Sequence, residues 1–296
     1  ELALKENPEI HVLYEDSKST AVDGISAFNL LQNKEVDLVF SELSIVSVPL
    51  SKIALERKLP LLVSLVAAES SSVVNEYTSR YYTDPTNYAS PAFSDPVSPV
   101  VSAKKIAVLY RNDELGNSVK EKIKELSVSN NKEIVYLESF MPAEKDYRTL
   151  MSKAKSSQAD VFLFVASTPG EAVGIVKTAK ELNIGMPIVE SSAVFADLDT
   201  RKQVEGIAFY STSYDFSLPN MAVDFKREYK AKYGKEPNFG SAFGYDIINL
   251  IADCGDEKYK MRDCLSKIDT IEGVAGKATQ VEPGDFVVQM HLEKVS

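Results

Sequence analysis

The sequence offers few residues for metal-binding or thiol chemistry, because its 296 residues include only two histidines and two cysteines. His11 lies in IHVLY and His291 in VVQMHL, two strand-like runs far apart in sequence, which predicts ordinary strand positions. Cys254 and Cys264 lie close together in CGDEKYKMRDC, a spacing that matches neither a CxxC motif nor a zinc site. The residues alone leave two readings open: free thiols in a cytosolic protein, or a disulfide in an oxidising compartment. No metal site is predicted.

Motifs of nucleotide binding and of nucleophilic catalysis are absent. The sequence has no GxGxxG, no GxxxxGK[ST] and no GxSxG, so the glycine-rich cradles and the nucleophile elbow of those chemistries are missing. S-x-x-K occurs at 102–105 and 152–155, but the SDN and KTG motifs that accompany it in enzymes are absent, which favours solvent-exposed helix surface. Nothing singles out a catalytic pair among the 43 acidic residues. We therefore expect a protein that is not an enzyme and uses no cofactor.

The net charge, the length and the apolar runs of the sequence further limit the kinds of protein that it can be. The net charge of −10 disfavours a nucleic-acid partner, since such proteins need a basic surface. A chain of this length suits two domains of about 150 residues. No apolar run approaches the roughly 18 residues that a membrane span needs. The opening ELALKENPEI is typical of the end of a helix rather than of a secretion signal, so a targeting peptide or lipid anchor is expected to lie outside this sequence.

The elements that would position functional residues alternate between short β-branched runs and amphipathic stretches, the pattern of an α/β protein. VFLFVA, within 159–166, is apolar on both faces, as expected of a parallel strand covered by helices on both sides. The predicted strands are 10–14, 36–40, 60–65, 105–110, 133–138, 159–166, 187–190 and 206–212, with a β-rich tail FVVQMHL. The predicted helices lie at about 19–33, 47–58, 114–129, 145–157, 169–183, 192–203, 219–233, 239–253 and 257–268.

Eight strands are too many for one small sheet, which predicts two doubly wound α/β domains. The stretch 81–100, YYTDPTNYASPAFSDPVSPV, holds four prolines and precedes the strand at 105–110. It is interpreted as the passage between the domains, with room for an irregular helix.

Six stretches, in order, resemble the type I periplasmic solute-binding proteins of ABC importers, in particular the branched-chain amino acid (Leu/Ile/Val) group. They cover the chain nearly end to end: VLYEDSKSTAVDGISAFNLLQNKEVDLVFSELS, KLPLLVS, KKIAVLYRNDELGNSV, FMPAEKDYRTLMSKAKSSQADVFLFVASTPGEAVGIVKTAKELNIGMPIV, FGSAFGYDIINLIA and IEGVAGKATQVEPGDF. Each stretch is a weak signal alone, and their order makes the resemblance specific.

The resemblance implies two doubly wound α/β lobes joined by a multi-strand hinge. Lobe 1 is expected to hold 1–98 and 219–281, and lobe 2 to hold 99–213 and the closing strand at 282–296. It also implies that a strand and most of a helix precede the opening residues, so the first βα unit of the fold is missing from this sequence. Because some members carry a cysteine pair at the same place, the resemblance favours a Cys254–Cys264 disulfide.

The family binds its ligand in the cleft between the lobes, where the carboxyl ends of the strands and helix N-termini present polar groups. Carried over by alignment, the ligand-binding positions of this chain are Ser44, Ile45, Ser47, Val66, Ala67, Ala68, Leu115, Thr168, Glu190 and Ser192.

At five of these positions the chain departs from the amino acid binders. That group uses a Ser and a Thr for the ligand carboxylate, two Tyr from the second lobe, and an acidic residue for the ammonium. The aligned residues here are Ile45, Ala68, Leu115, Thr168 and Ser192, with Glu190 two residues from the acidic position. A buried ammonium without a counter-charge is costly. We therefore expect a small organic acid or uncharged metabolite in preference to a branched-chain amino acid, with Glu190 as the ammonium partner if an amino acid binds.

The function implied is that of an extracytoplasmic receptor, periplasmic or at the cell surface as a lipoprotein, which closes over a small molecule and presents it to the membrane permease of an ABC importer. A monomer is expected. Two alternatives stay open: a sensory module of the same fold that signals to a receptor or regulator, and an α/β enzyme with its active site in the cleft.

Overall fold

The computed structural model of the protein describes residues 1–66, 70–83, 85–142, 144–214, 221–255 and 258–296. The helices are α1 (Leu2–Glu6), α2 (Ala21–Asn33), α3 (Ser44–Arg57), α4 (Ser70–Val73), α5 (Pro85–Ser94), α6 (Pro99–Ser102), α7 (Glu114–Ser129), α8 (Arg148–Ser156), α9 (Pro169–Glu181), α10 (Leu198–Lys202), α11 (Met221–Tyr233), α12 (Phe239–Cys254) and α13 (Lys258–Leu265). The strands are β1 (Val39–Glu42), β2 (Leu61–Ser64), β3 (Thr78–Tyr82), β4 (Lys105–Arg111), β5 (Glu133–Phe140), β6 (Val161–Val165), β7 (Ile188–Glu190), β8 (Phe209–Tyr214), β9 (Thr270–Gly273), β10 (Gly276–Glu282), β11 (Asp285–Val288) and β12 (Met290–Val295).

The first of two compact units comprises Glu1–Asp84 and Asp215–Gln289. Its six-stranded sheet has the order β1-β2-β3-β11-β10-β9. The first four of these strands are parallel, whereas β10 and β9 continue the sheet antiparallel. α2 and α3 bury their apolar sides with the parallel strands in a core that includes Phe28, Leu50 and Val63.

The second unit comprises Pro85–Tyr214 and Met290–Ser296. Its six-stranded sheet has the order β12-β8-β7-β6-β4-β5 and is parallel except for β12, which runs antiparallel to β8. All five residues of β6 are buried, as its uninterrupted apolar sequence predicts. Phe162 and Phe164 pack into a core that includes Met151 of α8 and Ile175 of α9. The prediction of an α/β fold with two sheets is confirmed, and each compact unit consists of two chain segments.

The segment boundaries lie at 84/85, 214/215 and 289/290, whereas the sequence places two of them at 98/99 and 281/282. The second unit begins at Pro85 because α5 packs on α7 and β12, which belong to that unit. Pro91 lies inside α5 and does not end the helix. β11 pairs with β3 in the first sheet, so only Met290–Ser296 of the predicted closing segment 282–296 joins the second unit.

The predicted strand IHVLY is not a strand. Residues 10–14 pair with no strand of the described structure, and Tyr14 is 80% exposed. A run with high β-propensity becomes a strand only where another strand satisfies its backbone groups. Conversely, β3 was not predicted, although it lies in the middle of the first sheet.

Cys254 at the end of α12 and Cys264 in α13 form a disulfide with a Cα–Cα distance of 5.5 Å. This is the pairing that the family resemblance implies. No helix of the described residues is long and apolar enough to cross a membrane.

Candidate functional site

In the first unit, β1 leads into α3 through Leu43, whose φ of 70° is rare for a residue with a side chain. Ser44 begins α3 and is half-buried, and Ile45 is 61% exposed. Ser47 is fully buried, with its Oγ 2.9 Å from Ser41 Oγ. Of the predicted positions in this loop, Ser44 and Ile45 are therefore the ones with accessible surface.

Val66, which follows β2, is hydrogen-bonded to Arg80, a member of a buried ion pair. Arg80 of β3 is 1% exposed and donates to both oxygens of Asp285, from Nε at 2.8 Å and from Nη2 at 2.7 Å. Its Nη1 donates to the carbonyl of Val66 at 3.2 Å. Val66 is buried, so its backbone rather than its side chain is engaged. Ala67 and Ala68, also predicted to contact the ligand, lie outside the described residues.

In the second unit, β4 leads into α7 through an N-cap. Asp113 Oδ1 accepts the Gly116 N–H at 2.8 Å, and Asp113 Oδ2 lies 2.9 Å from Arg111 Nη1. Leu115, a predicted ligand contact, is half-buried in the first turn of the helix. A Cβ on Gly116 would lie 1.9 Å from the Arg111 carbonyl oxygen, so only glycine lets α7 start this close to the strand.

The loop after β6 meets the same group of side chains. Thr168 is exposed and caps α9 by accepting the Glu171 N–H at 3.4 Å. Ser167 Oγ donates to Asp113 Oδ2 at 2.9 Å, and the Ser167 N–H donates to Glu171 Oε2 at 3.3 Å. Arg111 Nε lies 3.2 Å from Glu171 Oε1. Arg111, Asp113, Ser167 and Glu171, called the Arg111 cluster below, thus join the carboxyl ends of β4 and β6.

Glu190, at the end of β7, is fully buried and engaged inside its own unit. Its carboxylate accepts from Ser211 Oγ at 2.7 Å, from the Val194 N–H at 3.4 Å and from Ser192 Oγ. Burial raises the pKa of Glu190, and these hydrogen bonds offset part of that rise. Ser192 Oγ also accepts the Ala166 N–H at 3.0 Å. Both predicted contacts therefore serve to hold β6, β7 and β8 together at their carboxyl ends.

The Arg111 cluster is the part of this edge that sequence reasoning missed. Thr168 and Glu171 have the T-x-x-E spacing of a capping box, and Asp113 directly precedes a predicted helix, so each helix start is visible in the sequence. The pairing of Arg111 with Glu171 is not visible, because it depends on β4 and β6 being neighbours in the sheet.

The accessible predicted positions, Ser44, Ile45, Leu115 and Thr168, offer hydroxyl groups and apolar side chains. In the second unit, the Arg111 guanidinium lies between two carboxylates and so is not an uncompensated cation. No three His, Cys, Asp or Glu of the described residues are grouped so that they could hold a metal ion. Such surroundings suit hydrogen-bonded capture of a small organic molecule.

The chain is similar to proteins of known family and structure. The family profile described as periplasmic binding protein matches residues 5–278. The branched-chain amino acid transporter substrate-binding protein LivJ from Streptococcus pneumoniae, in complex with isoleucine, is similar in structure, with a TM-score of 0.78 and 21% identity over 99% of this chain and 92% of that one.

Two further structures have the same fold at lower identity. An ABC transporter substrate-binding protein from Sphaerobacter thermophilus has a TM-score of 0.87 and 16% identity, covering 98% of this chain and 85% of that one. An ABC transporter solute-binding protein from R. palustris, in complex with benzoate, has a TM-score of 0.80 and 14% identity, covering 100% and 86%.

Proposed function

The chain belongs to the periplasmic binding protein family, and from this premise we propose that it is the extracytoplasmic solute-binding receptor of an ABC importer. It binds a small metabolite without transforming it and delivers it to a membrane permease. The observation that carries the proposal is the match of the family profile to residues 5–278, which spans both compact units.

The structure supports a binding role at the carboxyl edge of each sheet. Ligands of open α/β sheets bind outside the carboxyl ends of the strands. Ser44 and Ile45 lie there in the first unit, and Leu115 and Thr168 in the second, each at the start of a helix. The Cys254–Cys264 disulfide supports a location outside the cytoplasm, since such bonds persist in oxidising compartments.

We further propose that the solute is a small organic acid or an uncharged metabolite rather than a branched-chain amino acid. An α-amino acid needs an anionic partner for its ammonium. The carboxylate of Glu190 is buried and already accepts three hydrogen bonds, and those of Asp113 and Glu171 pair with Arg111. Related folds bind both classes, since the S. pneumoniae protein holds isoleucine and the R. palustris protein benzoate.

Titration calorimetry tests the proposal directly. The purified chain is titrated with leucine, isoleucine, valine and alanine, and with benzoate and short aliphatic carboxylates that lack an amino group. Native mass spectrometry of protein purified from its source identifies any solute that co-purifies. We expect micromolar binding of a compound without an ammonium group. Tight binding of an amino acid would reverse the ranking of solutes, whereas turnover of the bound compound would contradict the receptor function itself.

A further inference from the structure

A groove of about 250 Å³ lies at the amino ends of β7 and β8 in the second unit and is called the β7–β8 groove below. One wall is the last turn of α9 with the loop that leads into β7, and the other is the loop 206–208 that leads into β8. Because these strands are parallel, this end of the sheet is opposite to the loops that hold Thr168 and Glu190. The groove is therefore separate from the candidate solute site.

The groove has apolar side chains and fixed walls. Ile184 is 7% exposed, and Met186 and Ile207 are half-buried against the core of the second unit. The Ile184 N–H donates to the Ala179 carbonyl at 3.2 Å, which holds the loop into β7. The Ile207 N–H donates to the Val204 carbonyl at 3.0 Å, which holds the loop into β8. Such preformed walls suit a small ligand, because little chain has to be ordered when it binds.

Lys180 gives the groove a cation. Its Nζ donates to the Gly206 carbonyl at 3.4 Å, so the side chain joins the two walls. Lys180 is exposed, and among the described residues no carboxylate forms an ion pair with it. An ammonium group has three N–H donors, so donors remain for an anionic ligand.

A second ammonium group lies next to the groove. Lys155 Nζ donates to the Leu182 carbonyl at 2.8 Å, and within the described part of the chain it too forms no ion pair. Of the neighbouring acidic residues, Glu181 pairs with Arg148 at 3.2 Å, and Glu205 is exposed. Two ammonium groups thus lie near one unpaired carboxylate, so the local charge favours an anion although the whole protein is acidic.

The end of α9 does little to oppose an anion, because its last carbonyl groups are already occupied. The Thr178, Ala179 and Lys180 carbonyls accept the N–H groups of residues 182–184 at 3.0–3.2 Å. The partial negative charge of a helix end resides on carbonyls that lack such partners.

We propose that the β7–β8 groove is an accessory binding site for a small monocarboxylate with an apolar body, whose carboxylate pairs with Lys180 and whose body contacts Met186 and Ile207. Charge complementarity selects the carboxylate, and the apolar side chains select the body. The proposal does not depend on which solute binds at the carboxyl ends of the strands.

The test uses the full chain with ¹³C-labelled methionine and isoleucine methyl groups, titrated with benzoate into the millimolar range at low salt. Met186 and Ile207 report the groove, whereas Ile45 reports the candidate solute site, so binding at the two places is distinguished in one spectrum. We expect saturable shifts at Met186 and Ile207. Benzamide, which has the same shape without the charge, should bind there at least about threefold more weakly, as expected for loss of an exposed ion pair.

Variants assign the effect to the ammonium group. Lys180→Gln should weaken benzoate binding at the groove by about threefold, whereas Lys177→Gln, one turn earlier on α9 and outside the lining, should leave it unchanged. Ala208→Glu places a carboxylate in the lining and should bind benzoate at least about threefold more weakly than Ala208→Gln, a change of the same size.

Three results would overturn the proposal. The first is equal binding of benzoate and benzamide at the groove, and the second is unchanged affinity in Lys180→Gln. The third is the absence of saturable shifts at Met186 and Ile207. If that absence is accompanied by a shift at Ile45, the carboxylate binds at the candidate solute site alone, and the proposed receptor function stands without the accessory site.

Discussion

Glu190 shows how a residue expected to meet the solute can instead be internal. Its carboxylate is fully buried and holds Ser192 and Ser211, and through Ser192 it positions the Ala166 N–H. Glutamine keeps the shape and one acceptor oxygen, and the serine hydroxyls can reorient as donors or acceptors. We therefore expect Glu190→Gln to change solute affinity by less than about threefold in calorimetry.

Glu190→Ala is the matched variant for the same site. It removes the acceptor of the Ser192 and Ser211 hydroxyls and of the Val194 N–H and leaves a cavity, so it should lower the free energy of unfolding by about 2–4 kcal/mol. Loss of solute binding in a Glu190→Gln protein of unchanged stability would instead show that the carboxylate touches the solute.

Asp246 of α12 is a buried carboxylate that ties three elements of the first unit. It accepts the Val274 N–H at 2.7 Å, the Ala275 N–H at 2.9 Å and the Tyr81 hydroxyl at 3.0 Å. Burial raises the pKa of Asp246 to about 6, although these hydrogen bonds lower it in part. The packing is tight, since a Cβ on Gly273 would lie 2.3 Å from Asp246 Oδ2.

The raised pKa gives a pH dependence with a defined sign. Between about pH 4 and pH 6 the folded protein holds a proton on Asp246 that the unfolded chain has released, so this group's contribution to stability falls as pH rises. The expected loss is about 3 kcal/mol, from the shift between the usual pKa and about 6. Asp246→Asn lacks this ionisation, so the stability of the parent relative to the variant should fall by about that amount from pH 4 to pH 7.

Urea denaturation at several pH values measures this difference. The exposed Asp253 of the same helix supplies the control, because Asp253→Asn should track the parent at every pH. A parent-to-Asp246→Asn difference that stays constant between pH 4 and pH 7 would contradict a raised pKa.

At the scale of elements, the starts of α7 and α9 are alike in capping and differ in packing. Gly116 of α7 faces the Arg111 carbonyl, whereas a Cβ on Gly170 of α9 would have no atom within 4 Å. Gly116→Ala should therefore destabilise the protein by about 1–3 kcal/mol through overpacking. Gly170→Ala should stabilise it by up to about 1 kcal/mol, because alanine restricts the unfolded chain. Thermal unfolding of the two variants side by side tests the difference, and equal shifts would contradict the close approach.

Which elements the sequence could predict depends on where their partners lie. β6 was predictable because VFLFV is apolar throughout and needs no knowledge of its neighbours. β3 was missed because Arg80 makes TSRYY look exposed. Arg80 is buried only because it pairs with Asp285, which lies 205 residues further along the sequence. IHVLY was wrongly predicted because its local pattern is that of a strand, whereas no described strand pairs with it.

The candidate site, too, has features that the sequence predicts and features that it does not. The capping roles of Asp113 and Thr168 follow from short-range spacing, so the helix starts at the carboxyl edge were predictable. The burial of Ser47 and Glu190 was not, because alignment places a residue in a loop without saying which side of the backbone it occupies. The Arg111 cluster needed the order of strands in the sheet.

At the scale of the whole molecule, the negative charge is distributed unevenly between the compact units. The first unit carries 17 Lys and Arg against 26 Asp and Glu, a net charge of −9, whereas the second carries 16 against 17, a net charge of −1. Mutual repulsion of like charges destabilises a compact state, and salt screens it over a Debye length of about 10 Å at 0.1 M. Electrostatic self-repulsion should therefore be largely a property of the first unit.

Hydrogen exchange followed by mass spectrometry can measure this difference within one sample. Peptides containing β2 and β6, two buried strands, report the stability of the first and second unit respectively. Raising sodium chloride from 20 mM to 500 mM should increase the free energy of opening at β2 by about 0.5–1 kcal/mol more than at β6, because only the first unit has substantial repulsion to screen. Sucrose of matched osmolality serves as the control, since it favours burial in both units without screening charge. An equal rise at the two strands in salt would show that the effect is general preferential exclusion, and the charge asymmetry would then have no measurable consequence for stability.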